Sequence, residues 1–175
     1  MNLFLFGFKK CGKTYYGMKV AQKLHMDFLE SNHLVEELYA AKHHDFLSYQ
    51  AIVKKHGFPF FHQLEDHAVS KLLQKKNCIV SLGGGIVLNP ENVSRLSQVG
   101  TLIYIETPKK ILKERILSSD IPAYLDPQHP SNSFESFYEE RVHLYQEIPS
   151  HKIAIECKTE EEIIAELSQM ITKKK

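Results

Sequence analysis

The sequence predicts an α/β fold, a mostly parallel sheet with helices on both faces, and three observations carry this. Short apolar runs alternate with segments of helical periodicity along the 175 residues, the pattern that parallel strands joined by crossover helices produce. The first apolar run, Asn2–Phe6, opens directly into Gly7-x-x-x-x-Gly12-Lys13-Thr14, a strand–loop–helix signature. Another run, over residues 78–82, ends in Gly83-Gly84-Gly85, where a backbone can pass close to a ligand.

Each element follows from local pattern. Asn2–Phe6 reads as a buried strand. Over Lys13–Leu24, Tyr16, Val20 and Leu24 fall on one stripe with Ala21 beside it, which predicts a helix. Asp27–Glu30 is a short second strand. Ser31 can cap the helix that follows, whose apolar face is Leu34, Val35 and Leu38. A polar helix is expected over residues 45–55, ending near Gly57, and Pro59 suits the first turn of a long helix reaching Gln74. After the strand at 78–82, Asn89 caps a helix that begins at Pro90. Residues 101–105 form the fourth strand and 108–117 the next helix. Residues 118–133, SSDIPAYLDPQHPSNS, combine prolines with small polar residues, so a loop is predicted, and a loop of that length in a compact domain is usually functional or mobile. Residues 134–147 form a helix, 152–156 the last strand and 159–171 a final helix. No linker or repeat interrupts the chain, which reads as one domain, 1–175, with 118–133 inserted in it.

Composition bounds the partners. A net charge of +1 leaves no basic field that would attract nucleic acid, and the tail at 173–175 reads as a solvated end. Cys11, Cys78 and Cys157 are far apart and form no C-x-x-C pair, so neither a zinc site nor a disulfide framework is suggested and a reducing compartment fits. The apolar stretch at 3–6 is too short for a signal peptide, and no run approaches the ~20 apolar residues of a membrane span. A cytoplasmic monomer without membrane or nucleic-acid partners is expected.

The first loop points to phosphate. Its successive backbone N–H groups face inward, and the helix start behind it adds partial positive charge. Lys13 is placed to reach the β- and γ-phosphates of ATP and Thr14 to set its hydroxyl on Mg²⁺. Lys9, Lys10, Cys11 and Tyr15 complete the nucleotide-side stretch. Cys11, at a helix start, is expected to carry an activated thiol that ATP shields from alkylation. The alternatives are a bare strand–turn–helix for this loop and a flexible turn for the triple glycine.

With both constellations in place the chain resembles shikimate kinase, a family of small P-loop kinases that move the γ-phosphoryl group of ATP onto a hydroxyl of shikimate. The resemblance spans nearly the whole chain. It rests on the phosphate loop, Glu30-Ser31-Asn32, Phe61-His62-Gln63-Leu64-Glu65, Ser81-Leu82-Gly83-Gly84-Gly85, the 118–133 loop and Glu140-Arg141-Val142-His143-Leu144-Tyr145. It implies a three-layer α/β/α fold of the nucleoside-monophosphate-kinase type, with a five-stranded parallel sheet and a mobile lid at about 118–133. It implies that ATP with Mg²⁺ and shikimate are the substrates, that the 3-hydroxyl is phosphorylated, and that the product feeds chorismate and aromatic amino acid synthesis. By the same resemblance Gly83, Gly84 and Gly85 contact the acceptor, and Arg141 grips its carboxylate with a guanidinium fork. Thr14, Glu30 and Ser81 serve the metal, Lys13, Asn32 and Arg141 act on the reacting groups, and Arg115 stands on the nucleotide side. Taken alone, Arg141 would be a surface ion pair and Ser81 a satisfied strand hydroxyl.

Several positions depart from the family's pattern. Lys10 replaces a third loop glycine. Glu30 and Asn32 replace two aspartates; Glu30 keeps the charge on a longer stem, whereas Asn32 can hydrogen-bond but cannot be a carboxylate base. His62 stands where the family has an arginine for the acceptor carboxylate; it is only partly charged at pH 7 and offers no fork. Ile121, before Pro122, replaces a lid arginine. Phosphoryl transfer depends mostly on positioning and charge stabilisation, and a lost general base costs about 10²–10⁴-fold. Three readings stay open: a diverged shikimate kinase, a kinase of another polyol or sugar acid such as gluconate, and a non-catalytic nucleotide-binding module.

Overall fold

A computed structural model of the chain describes residues 1–119 and 121–172, the Thr172 side chain excepted; Asp120 of the expected lid and the 173–175 tail lie outside the described residues. The chain runs β1 (Asn2–Phe6), α1 (Lys13–Leu24), β2 (Asp27–Glu30), α2 (Ser31–His43), α3 (Tyr49–Leu72) and β3 (Cys78–Ser81). A 3₁₀ turn (Ile86–Leu88), α4 (Pro90–Val99), β4 (Gly100–Glu106), α5 (Lys109–Leu117), α6 (Pro130–Glu147), β5 (His151–Ala154) and α7 (Glu160–Thr172) follow. The strands form one five-stranded sheet in the order β2-β3-β1-β4-β5, and every pairing is parallel.

This is the fold class the alternation predicts, and burial shows why. All of β1 and β3 is buried, as strands covered on both faces must be. Asn2, the polar residue of β1, ties the lower ends of three strands: its Nδ2 donates to Lys75 O at 2.8 Å and Val99 O at 3.2 Å, and its Oδ1 accepts from Cys78 N–H at 3.2 Å. Phe6, Phe8, Tyr104, Tyr138 and Tyr145 form an aromatic cluster at the other end of β1. A separate core of Val35, Tyr39, Ile52, Phe61, Leu64 and Ala68 joins α2 to α3, so these two helices form a unit that presents residues to the ends of β2 and β3. Among the described residues no helix is long and apolar enough to cross a membrane.

Three local expectations change. The helix expected at 45–55 starts at Tyr49, because Ser48 caps it by accepting from Ala51 N–H at 3.3 Å. Gly57, at φ 80° and ψ 169°, kinks α3 where the sequence suggests a helix end, and the part beyond the kink reaches Leu72. Ser31 is not a cap: Glu30 holds the cap position, and Ser31 Oγ instead accepts from Gly83 N–H at 2.7 Å, joining the β2–α2 corner to the triple glycine. Helix α6 begins at Pro130 and not Phe134, since proline fits a first helical turn. The connection after α5 is correspondingly shorter, and Ser133 Oγ pins it by accepting from Asp126 N–H at 3.0 Å.

Candidate active site

One cleft of about 770 Å³ lies beyond the carboxyl ends of β1, β2 and β3, where open α/β sheets bind ligands. Its first end is the loop between β1 and α1. Lys10 adopts φ 66° there, and Gly12 closes the loop in the left-handed region before α1 starts at Lys13. A side chain in that region costs about 1 kcal/mol, so Lys10 is held at some strain where a glycine would be free. Lys13 Nζ arches back over the loop and donates to Gly7 O at 3.0 Å and Phe8 O at 2.8 Å. Arg115 Nη1, from α5, donates to Lys10 O at 3.1 Å. Lys9, Lys10, Gly12, Lys13, Thr14, Tyr15 and Arg115 all line the cleft.

Gly7 and Cys11 do not. Cys11 is fully buried behind the loop, its N–H bonded to Phe8 O at 3.3 Å and its carbonyl accepting from Thr107 Oγ1 at 3.1 Å. The expectation that ATP would shield its thiol is therefore corrected: the fold already does so. The exposed cysteine is Cys157.

Beside the loop, Thr14 Oγ1 donates to the Glu30 carboxylate and lies 3.4 Å from Ser81 Oγ. Strand register sets this group, because Glu30 and Ser81 are paired across β2 and β3. One carboxylate and two hydroxyls suit Mg²⁺, which keeps several waters and takes the rest of its oxygens from phosphates.

The other end is a glycine cradle packed from three sides. A Cβ on Gly83 would stand 2.8 Å from Asn32 Oδ1, one on Gly84 2.7 Å from the Tyr145 hydroxyl, and one on Gly85 2.9 Å from Glu65 Oε2. Any side chain there would displace a polar group of the site. Tyr145, buried on α6, donates to Gly84 O at 3.0 Å, and burial pushes its phenol up to about 12. His62 Nδ1 lies 2.7 Å from Glu65 Oε2; the carboxylate is 3% exposed, the imidazole half-exposed to the cleft. The bond to Glu65 raises the His62 pKa above the usual histidine value, against a smaller effect of burial. Burial in turn holds the Glu65 carboxyl above the usual range, with His62 opposing. The bond favours charge on the imidazole, while burial works against charge on the carboxyl. Arg141 reaches the cleft from α6, its guanidinium carbon 5.0 Å from the Phe137 ring centroid.

The structure brings together every residue expected at the site except Gly7 and Cys11. Sequence reasoning gave no role to Glu65, Tyr145 or Tyr124. For Glu65 a signal existed, an acid three residues after His62 on the face that carries Phe61, Leu64 and Ala68 into the core. Tyr145 sits in a quoted motif, but only the fold shows its bond to Gly84.

The shikimate kinase family model matches residues 9–172. A shikimate kinase of Caldanaerobacter subterraneus subsp. tengcongensis is 32% identical over 174 residues, covering 99% of this chain and 98% of that protein. The shikimate kinase from Acinetobacter baumannii, solved in complex with shikimate, superposes with a TM-score of 0.82 at 25% identity, covering 99% of this chain and 94% of that one. The shikimate kinase from Aquifex aeolicus gives 0.79 at 26% identity, covering 99% and 98%. Matched along almost its full length in sequence and in fold, the chain belongs to the shikimate kinase family of ATP-dependent small-molecule kinases.

Proposed function

We propose that this chain transfers the γ-phosphoryl group of ATP to the 3-hydroxyl of shikimate, giving shikimate 3-phosphate and ADP, as a cytoplasmic monomer. The observation that carries this reading is one continuous cleft with the phosphate loop at one end and the Arg141–glycine cradle at the other. Lys13, Arg115 and the loop N–H groups hold the nucleotide phosphates. Thr14, Glu30 and Ser81 hold Mg²⁺, which when bound neutralises charge on the phosphates. Arg141 and His62 hold the acceptor carboxylate, and Gly83–Gly85 lets the ring lie against backbone. Asn32 orients the acceptor hydroxyl by hydrogen bonding and takes no proton; in-line placement carries the transfer. Pro122, Ala123 and Tyr124, between α5 and α6, line the cleft and act as the lid that excludes water.

A coupled ADP-release assay tests this. Shikimate is expected to turn over well ahead of quinate and gluconate. The His62 and Ile121 positions favour the second reading, a changed acceptor, and preference for gluconate would establish it. Tight ATP binding with no turnover on any acceptor would reduce the protein to a nucleotide-binding module.

His62 makes acceptor binding pH-dependent. Its pKa is raised, so the imidazolium that meets the carboxylate still predominates at the usual histidine value and is lost as pH climbs through the higher one. The KM for shikimate should therefore rise from pH 6.5 to 9 by about three- to tenfold, the worth of one charge-assisted bond on a half-exposed group. His62→Arg should flatten that limb. A slope that persists in the arginine variant would assign it to another group.

A further inference from the structure

Tyr124 lies between α5 and α6, in a segment that lines the cleft. Its ring stacks on Phe137, with centroids 4.2 Å apart and planes at 18°. Phe137 also carries the Arg141 guanidinium, one helical turn on. The Tyr124 hydroxyl is buried, yet it has no hydrogen-bond partner among the described residues. A buried hydroxyl left unpaired is costly, and native structures almost always supply a partner. Tyr145, its neighbour in the cleft, shows the contrast, since that phenol is satisfied by Gly84 O. Burial pushes the Tyr124 phenol well above the usual tyrosine value, while Arg141 works against it. Tyr124 therefore remains a neutral O–H donor across the physiological range, close to a cation. A donor beside an arginine matches an anionic oxygen held by that arginine.

We propose that Tyr124 donates its phenolic hydrogen to the acceptor's carboxylate, so that a lid residue shares with Arg141 the recognition of that group and makes lid closure depend on it. This rests on the reading that Arg141 holds a carboxylate. It also gives the lid a polar contact to the acceptor although Ile121 supplies none.

Tyr124→Phe keeps the stack on Phe137 and removes only the oxygen. The expected result is a KM for shikimate raised about 10–100-fold, the range for a hydrogen bond to a charged group, with the KM for ATP unchanged. An analogue with hydrogen in place of the carboxylate should be handled equally by parent and variant, within about twofold, because the coupling needs both partners. The ligand-free variant should melt at or above the parent temperature, since it buries no unpaired oxygen; a phenol serving only the fold would give a lower one. An unchanged shikimate KM in the variant, with an active parent, overturns this proposal and leaves the function intact. An equal loss on shikimate and on the analogue also overturns it. A parent that does not turn over shikimate overturns the functional reading and this proposal with it.

Discussion

Lys13→Ala should lower kcat/KM for ATP about 10³-fold and weaken ATP binding measurably by titration calorimetry. The ammonium sits 3.0 Å and 2.8 Å from the carbonyl oxygens of Gly7 and Phe8, which fixes it over the mouth of the loop. A cation held there faces the phosphates without having to reorganise, the condition under which a single donor matters most during transfer. Lys13 also staples its own loop, so part of the loss could reflect a slackened backbone. Stability separates the two effects. Removing two partly buried bonds to carbonyls should lower the melting temperature by only about 2–4 °C, as a change of roughly 1 kcal/mol does in a chain of this size. Unchanged ATP affinity and turnover in a folded Lys13→Ala protein would remove the loop from the mechanism.

What the sequence disclosed was set by how local each signal is. The loop is legible because phosphate binding needs glycine, lysine and a hydroxyl at fixed offsets, and those offsets survive in any context. Strands β1 and β3 are legible because both their faces are covered, which forces a continuous apolar run. A serine at a helix start is a good local cap, but the partner of Ser31 is Gly83, in the loop after β3, which no local signal names. Cys11 is similar: the motif places it in the loop, but only packing shows that it turns into the core. Tyr124 has no local signal at all. Its meaning lies in a burial and a missing partner that only tertiary structure creates.

The departures from the family pattern become coherent once Glu65 is placed. Asn32 Oδ1 and Glu65 Oε1 both lie within 3.2 Å of one point beside Gly83. An aspartate at 32 would set a second carboxylate against one already buried and paired with an imidazole. A guanidinium has five N–H donors and could bridge two carboxylates, whereas the His62 imidazole already spends one ring nitrogen on Glu65. The neutral Asn32 and the weaker cation His62 are thus matched changes, and under the proposed function they shift recognition of the acceptor carboxylate towards Arg141.

Arg141→Ala should accordingly raise the KM for shikimate by about 10²–10³-fold, the loss expected when one partner of a desolvated charge pair is truncated. The KM for ATP should hardly move, since the loop end of the cleft is built by β1 and α1 and the acceptor end by α2, α3 and α6. Arg141→Lys should fall between alanine and parent, because an ammonium keeps the charge but not the bidentate fork. If alanine leaves the acceptor KM unchanged, Arg141 is a surface residue of α6 that stacks on Phe137 and nothing more. The alanine variant also tests the link to His62. Arg141 now lowers the His62 pKa, opposing Glu65. Without that guanidinium the imidazolium persists to higher pH, so the limb along which the shikimate KM rises should move upward in Arg141→Ala. A limb that stays where it is would show that the guanidinium does not act on His62.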